Sequence, residues 1–142
     1  MQDPNLNHQA IQEEWIAYAL SHSDSVPELL LELEKETHQK VLQPRMLSGP
    51  LQGRLLTLFS HLLQPRKILE IGTFTGYATL CLAEGLDKNG VLHTIDCNEE
   101  LVHFQQKYFM KSTFKNNIQA HLGNALEVLP KLEGPFDLVF ID

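Results

Sequence analysis

The stretch LEIGTFTGYATL, residues 69–80, places a glycine turn directly after a short apolar run. The residues on either side predict a β-strand over 67–72 and a helix over 77–86, so the turn joins a strand to a helix. A glutamate, Glu70, stands two residues before the first glycine. Because ligands bind at the carboxyl ends of the strands in open α/β sheets, this turn is a candidate binding loop.

The pattern of strand and helix continues to the end of the chain. Further strands are predicted over residues 91–96, 118–123 and 136–142, with helices between them that begin after Asn98 and Asn124. Strands and helices that alternate at this spacing indicate parallel β–α–β units with right-handed crossovers. In a doubly wound sheet the last strand lies beside the first and leaves its other edge open. We therefore expect an α/β, Rossmann-like parallel sheet with helices on both faces, truncated after its fourth strand.

Helices are predicted throughout the first half of the chain. Apolar residues at three-to-four spacing predict an amphipathic helix over about 9–21, and Ser25 with Glu28 has the form of a capping box that opens a second helix. A third helix follows a turn-rich loop. We expect residues 1–65 to form a helical cover with a loop over the binding site, and residues 66–142 to form the first half of the α/β domain.

The composition is that of a globular protein and limits the classes of function. The 142 residues are 43% hydrophobic and 20% charged, with no apolar run long enough for a membrane span and no basic-then-apolar signal peptide. A net charge of −7 argues against a nucleic-acid surface, which needs clustered lysine and arginine. The two cysteines have no CxxC spacing, so a reduced, cytoplasmic setting is expected. From the charge and the absence of a long apolar run, we expect no nucleic-acid or membrane partner.

Three kinds of ligand are compatible with a glycine turn, and the neighbouring residues distinguish them. No lysine follows Gly76, which excludes a phosphate loop of the Walker type. The spacing Gly72-x-x-x-Gly76, filled by bulky residues, argues against the Gly-x-Gly-x-x-Gly turn that seats a dinucleotide pyrophosphate. Glu70 and, at the end of the next strand, Asp96 favour the third kind. This is a phosphate-free ligand with a ribose and a positive charge, such as S-adenosylmethionine.

Five segments together carry a resemblance to a known family. They are PRMLSGPLQGRLL in the loop and third helix, EIGTFTGY in the glycine turn, and HTID, GNALEVLPKL and FDLVFID after it. As a set they resemble the class I S-adenosylmethionine-dependent methyltransferases, and more narrowly the cation-dependent O-methyltransferases of the caffeoyl-CoA and catechol type. The resemblance implies methyl transfer to a hydroxyl of a catechol-like or hydroxycinnamoyl small-molecule acceptor. It also implies a divalent cation, usually magnesium, and a cytoplasmic homodimer.

The same resemblance implies roles for individual residues. Around the cofactor it implies Met46 and Ser48 from the covering loop, Glu70 and Gly72 beside the methionine part, Gly76 in the same turn, Asp96 at the ribose hydroxyls, and Asn124 and Ala125 near the adenine. Asp142 matches the first metal-ligand aspartate of the family. The sequence departs from the family at Asn124, where an aspartate is usual, and at Ala78, where a serine hydroxyl often contacts the cofactor. No catalytic residue is assigned.

Two alternatives stay open from the sequence. A nicotinamide-dependent oxidoreductase shares the alternation of strands and helices, although the glycine spacing argues against it. The other is a non-catalytic cofactor-binding or interaction module. The family continues past Asp142 with a lysine suited to general-base work and an Asp-Asn pair that completes the metal site. We therefore expect the 142-residue chain to be an incomplete, weakly active or inactive part of such an enzyme.

Overall fold

Four parallel strands form the sheet of the computed structural model, which describes the backbone of residues 4–142 and the side chains from residue 13 onward. The strands are β1 (Lys67–Ile71), β2 (Val91–Asp96), β3 (Ile118–Leu122) and β4 (Leu138–Ile141). Their order across the sheet is β3-β2-β1-β4, and every pairing between neighbours is parallel. The predicted parallel sheet, with its last strand beside its first, is confirmed.

Helices precede the sheet and connect its strands. In the described part of the chain they are α1 (Pro4–Ser21), α2 (Glu28–Lys40), α3 (Gly49–Leu63), α4 (Tyr77–Ala83), α5 (Val102–Lys111) and α6 (Ala125–Val128). Short 3-10 turns occupy Pro44–Met46, Glu99–Leu101 and Leu129–Lys131. Each helix predicted from the sequence is present. No helix among the described residues is both long enough and apolar enough to cross a membrane.

Three predicted helix boundaries differ from the structure, the first being that α1 begins at Pro4 and not at about residue 9. The capping box of Ser25 and Glu28 does not form, because Pro27 takes the N-cap position with an extended backbone and no side-chain cap hydrogen bond. Glu28 is then the first helical residue, and not the third one that a capping box requires. α4 ends at Ala83, before the predicted residue 86, and the backbone of Gly85 then passes close to α3. A Cβ added there would lie 2.2 Å from the carbonyl carbon of Ser60.

Two asparagines begin helical segments as the sequence predicts. The Oδ1 atom of Asn98 accepts a hydrogen bond from the N–H of Glu100 at 3.0 Å, and that of Asn124 accepts one from Leu126 at 2.9 Å. Each bond satisfies a backbone donor that the first turn of a helix leaves free. Because β2 and β3 end just before these asparagines, the chain turns at the carboxyl edge of the sheet.

The main core lies between one face of the sheet and helices α2, α3, α4 and α5. α4 is buried along its whole length, and Ile68 of β1 and Leu92 of β2, both 0% exposed, belong to the same apolar cluster. An ion pair of 2.6 Å between Arg54 and Glu84 fastens α3 to the end of α4. This packing fixes β1, the glycine turn and α4 as one frame.

Much of the apolar surface of α1 is exposed to solvent. Trp15 and Tyr18, which the sequence places on its apolar side, are 71% and 67% exposed. The side chains of residues 9–12, on which the amphipathic pattern also depends, lie outside the described residues. The helix therefore extends the cover of the fold without placing these two aromatic side chains in the core.

Candidate functional site

The glycine turn leaves β1 and enters α4 with three residues in the left-handed backbone region. These are Gly72, Phe74 and Gly76, with φ of +100°, +47° and +91°. A Cβ added at Gly72 would lie 2.9 Å from the backbone oxygen of Asp142, and one at Gly76 would lie 2.6 Å from the ring of Phe109. Both positions therefore require glycine, because of the backbone angle and because of the close neighbour.

Asp96, at the end of β2, faces this turn. Its Oδ2 atom accepts a hydrogen bond from the backbone N–H of Phe74 at 2.7 Å, and its Oδ1 atom accepts one from Asn98 at 2.8 Å. Each carboxylate oxygen has more than one acceptor position, so both can still accept hydrogen bonds from the hydroxyls of a ligand. The carboxylate thus lies beside the turn, where the predicted contact with a ribose requires it.

Glu70 lies beneath the turn, with its side chain buried. Its side chain is 0% exposed, and its Oε2 atom accepts hydrogen bonds of 2.5 Å from the hydroxyls of Thr79 and Thr94. The Oε1 atom is buried and has no hydrogen-bond partner in the described part of the chain. Burial raises the pKa of Glu70 to about 7; the two threonine hydrogen bonds oppose this shift, and the carboxylates of Asp142 and Asp96 add to it.

A cavity of about 780 Å³ opens at the carboxyl edge of the sheet. It lies between the segment after α2, the glycine turn and the segment after β2. Its lining consists of Lys40, Val41, Leu42, Gln43, Met46, Gly72, Phe74, Asp96, Cys97, Asn98, Glu100, Leu101, Phe104 and Asp142. Acidic side chains outnumber the single lysine in this lining. A cavity of this charge favours a ligand with a positive group over one with a pyrophosphate.

The apolar wall of the cavity was not predicted from the sequence. Leu101 and Phe104 come from the segment that Asn98 opens, three residues apart on one side of it. That spacing, so close behind Asp96, is a signal that could have identified them. Val41 and Leu42 come from the segment after α2, and no local pattern indicates that this segment approaches β2.

The covering loop contributes one of its two predicted residues to the lining. Met46 lines the cavity, with 58% of its surface exposed. Ser48 does not line it, and its hydroxyl lies 3.4 Å from Oδ2 of Asp142, at the long limit for a hydrogen bond. Its side chain makes no cap hydrogen bond to α3 either.

The two residues predicted near an adenine follow β3. The N–H of Gly123 donates a hydrogen bond to the backbone oxygen of Asp96 at 2.8 Å, which brings this turn next to the end of β2. Asn124 then caps α6 and Ala125 is its first residue. Of the residues predicted to contact the cofactor, Met46, Gly72 and Asp96 line the cavity, whereas Ser48, Glu70, Gly76, Asn124 and Ala125 do not.

Asp142, the predicted metal ligand, lines the same cavity. Among the side chains of residues 13–142, however, no three of histidine, cysteine, aspartate or glutamate come together in a way that could hold a metal ion. Magnesium needs an octahedron of oxygen ligands, of which a single carboxylate supplies a small share. The residues present therefore do not fit a complete magnesium site.

Residues 20–142 match a family model described as O-methyltransferase. Among curated relatives, a catechol O-methyltransferase from Niastella koreensis is 37% identical over 103 residues, which are 70% of this chain and 47% of the relative. The chain spans about half the length of the curated relatives it matches.

Solved structures share the fold. An SAH-bound methyltransferase from Podospora anserina is similar with a TM-score of 0.86 and 25% identity, over 100% of this chain and 59% of that one. The O-methyltransferase TomG from Streptomyces achromogenes, solved in complex with SAM, gives a TM-score of 0.81 and 32% identity, over 89% of this chain and 58% of that one. The Rossmann-like fold expected from the sequence is confirmed.

Proposed function

This chain belongs to the O-methyltransferase family, and we propose that it forms the S-adenosylmethionine-binding part of an O-methyltransferase. One observation carries the proposal. Gly72 and the carboxylate of Asp96 lie side by side in the cavity, at the carboxyl ends of two adjacent parallel strands. This is the position at which open α/β sheets bind their ligands.

The lining of the cavity suits the parts of this cofactor. The carboxylate of Asp96 can accept hydrogen bonds from ribose hydroxyls, and Leu101 and Phe104 offer an apolar surface to an adenine ring. Gly72, which has no Cβ, lets a ligand approach the backbone closely. The acidic lining tolerates a sulfonium and an ammonium group better than a pyrophosphate. This favours S-adenosylmethionine over a nicotinamide dinucleotide.

Methyl transfer requires mainly that the acceptor oxygen and the methyl group are aligned. S-adenosylmethionine supplies a methyl group on a sulfonium, from which an acceptor oxygen takes it by in-line displacement. Orientation can lower such a barrier by roughly 7–11 kcal/mol. In this chain the orientation comes from β1, the glycine turn and β2, which the core holds in one frame. We assign no general base among the described residues.

The class of acceptor and the metal ligand are proposed on separate grounds. We propose a small-molecule acceptor with a catechol-like or hydroxycinnamoyl hydroxyl, because the relatives include catechol O-methyltransferases and a probable caffeoyl-CoA O-methyltransferase. Asp142 stays a predicted metal ligand, because the described residues do not complete a metal site around it. Residues 1–65 then act as the helical cover and residues 66–142 as the first half of the cofactor domain.

A cytoplasmic homodimer stays a prediction. The exposed aromatic side chains of Trp15 and Tyr18 on α1 support it, since exposed apolar groups are candidates for burial against a second copy. Sedimentation velocity tests it: a monomer over the accessible concentration range contradicts the prediction.

A non-catalytic cofactor-binding module is the second candidate function. It shares the observation that carries the first, because Gly72 and Asp96 line the cavity whether or not a methyl group is transferred. Such a module would bind the cofactor in the same cavity but would transfer no methyl group.

Calorimetry separates these functions. Titration of the chain with S-adenosylmethionine, S-adenosylhomocysteine and NAD is expected to give binding of the first two and none of the third. Binding of NAD alone, or of none of the three, contradicts the proposal. A methyl-transfer assay with a catechol acceptor and magnesium then decides the rest: methylated product indicates an enzyme, whereas binding without product indicates the non-catalytic module.

A further inference from the structure

A chain of buried side-chain hydrogen bonds runs beneath the glycine turn. The hydroxyl of Thr73, in the turn, lies 2.6 Å from that of Thr94 on β2. Thr94 and Thr79, which belongs to α4, each donate a 2.5 Å hydrogen bond to Oε2 of Glu70 on β1. The chain thus joins the turn to both strands and to the helix that the turn connects.

The direction of these bonds can be assigned. A threonine hydroxyl carries one proton, and Thr94 donates its proton to Glu70. Thr73 must therefore be the donor in its contact with Thr94. Every proton in the network points toward Glu70, whose Oε2 atom is the common acceptor. Removing the hydroxyl of Thr94 alone would separate the turn from this acceptor.

We propose that Glu70, Thr79 and Thr94 are positioning residues, which hold the glycine turn in its binding conformation before a ligand arrives. Glu70 does this without touching the cofactor. The proposal rests on the proposed function only for its effect on affinity, because the effect on the turn itself needs no ligand.

Burial and backbone geometry support this role. Glu70, Thr79 and Thr94 are all 0% exposed, and none of them lines the cavity. The turn above them contains three residues in the left-handed region, including the non-glycine residue Phe74. Backbone of this kind persists only where the surrounding structure determines it. The hydrogen bonds to Glu70, which lie beneath the turn, provide this support.

Amide hydrogen exchange of the ligand-free protein tests the proposal directly. The N–H groups of Phe74 and Gly76 are both hydrogen-bonded, to Asp96 and to Thr73, so each reports opening of the turn. In Thr94→Val, which keeps the shape and removes the hydroxyl, we expect both amides to exchange about tenfold faster or more. Thr57→Val is the matched control, because the Thr57 hydroxyl is also buried and bonds between α3 and α4, away from the turn.

Two substitutions of Glu70 test its role in holding the glycine turn. Glu70→Ala removes the acceptor and is expected to speed exchange of the Phe74 and Gly76 amides as Thr94→Val does. Glu70→Gln keeps an amide oxygen for the threonine hydroxyls and is expected to restore most of the protection. Equal exchange of these amides in Thr94→Val and Thr57→Val overturns the proposal, and so does a Gln variant as unprotected as the Ala variant.

Affinity gives a second, independent readout. A positioning role predicts that Thr94→Val weakens the binding of S-adenosylmethionine and of S-adenosylhomocysteine, which lacks the sulfonium charge, by the same factor of about tenfold. If Glu70→Gln weakened the binding of S-adenosylmethionine but not that of S-adenosylhomocysteine, Glu70 would act on the ligand by its charge. That result contradicts the proposal. If the wild-type chain binds neither compound, the proposed function fails, and the exchange of the Phe74 and Gly76 amides still decides the positioning role.

Discussion

The backbone N–H of Phe74 donates a 2.7 Å hydrogen bond to Oδ2 of Asp96. On its other side, the carbonyl of Phe74 accepts a 2.8 Å hydrogen bond from the side chain of Gln105 on α5. Phe74 has φ of +47°, so these two bonds hold a backbone conformation that few side chains adopt. The end of β2 and the glycine turn are therefore one structural unit, and Asp96 both supports the turn and faces the cavity.

Replacing Asp96 by asparagine is expected to weaken binding of S-adenosylmethionine by roughly tenfold to hundredfold. The amide group would present N–H donors to the N–H of Phe74 or Asn98, and it would remove the negative charge from the cavity. Asp137→Asn is a matched control, because Oδ2 of Asp137 also accepts two backbone N–H groups, from Arg66 and Lys67, but outside the cavity lining. Calorimetry that finds equal losses in the two variants would contradict a cofactor role for Asp96.

Gly72→Ala is expected to destabilise the fold by about 1–3 kcal/mol, since it adds a Cβ at φ of +100° and 2.9 Å from the backbone oxygen of Asp142. Gly134→Ala is the control, because a Cβ there meets nothing within 4 Å. Urea unfolding of both variants measures the difference in the free energy of unfolding. Similar stability of the two variants would show that the turn relaxes at little cost.

Two histidines on neighbouring strands, His93 and His121, are expected to make the fold sensitive to acid. Nδ1 of His93 lies 3.0 Å from Nε2 of His121, and one ring must accept while the other donates. Burial lowers the pKa of both histidines, and the charges of His121 and Lys67 lower that of His93 further. Because the folded pKa values are lower than the unfolded value of about 6.5, this stability is present above that pH and is lost as the pH falls below it.

The expected measurement is a fall in the free energy of unfolding as the pH is lowered from about 7.5 to about 5. In His121→Gln, which keeps a hydrogen-bonding side chain without an ionisable ring, the fall is expected to be shallower. Urea titrations at each pH give the slopes. An unchanged slope in the variant would assign the acid sensitivity to other groups.

A cluster of charges at Glu36 ties α2 to α5, and α2 leads into the segment that covers the cavity. Glu36 bonds Lys107 and Tyr108 of α5 and, within α2, Lys40 at 2.8 Å. The hydrogen bond from Lys107 is the largest cause that lowers the pKa of Glu36 to about 2, followed by those from Lys40 and Tyr108. Since the folded pKa is below the unfolded one, the stabilisation is present above about pH 4.5 and is lost as the pH falls toward about 2.

Glu36→Gln is therefore expected to lower the melting temperature at neutral pH and to change it little at about pH 2. The effect is expected to shrink at high salt, because the side chains of Lys40 and Lys107 in these ion pairs are 64% and 41% exposed. Thermal scans by circular dichroism at two pH values and two salt concentrations measure it. A variant whose loss is the same at both pH values would contradict the assignment to charge.

The parts of the fold that the sequence predicts depend on local patterns. β1, the glycine turn and β2 follow from apolar runs with glycines between them, and these are the elements that bring Gly72 and Asp96 together. The caps at Asn98 and Asn124 are also local and are confirmed. The capping box at Ser25 is local too, but it is wrong, because Pro27 sets the start of α2.

The parts that the sequence does not predict depend on distant contacts. The family resemblance implies that Glu70 lies beside the cofactor, yet its carboxylate is buried between Thr79 and Thr94, nine and twenty-four residues away along the chain. The approach of Val41 and Leu42 to the end of β2 likewise depends on how α2 packs, which no local pattern states. All the predicted cofactor contacts stay predictions: Met46, Gly72 and Asp96 line the cavity, and for Glu70 the proposed positioning role replaces a direct contact.

Backbone NMR of the nitrogen-15-labelled chain, titrated with S-adenosylhomocysteine and separately with NAD, tests the central claim most directly. We predict saturable shifts of the amides of Gly72, Phe74, Cys97 and Asn98, which line the cavity, with S-adenosylhomocysteine only. The amides around Glu36, outside this cavity lining, are expected to stay unchanged. Shifts of the cavity amides with NAD and not with S-adenosylhomocysteine, or no saturable shift with either, would contradict the account.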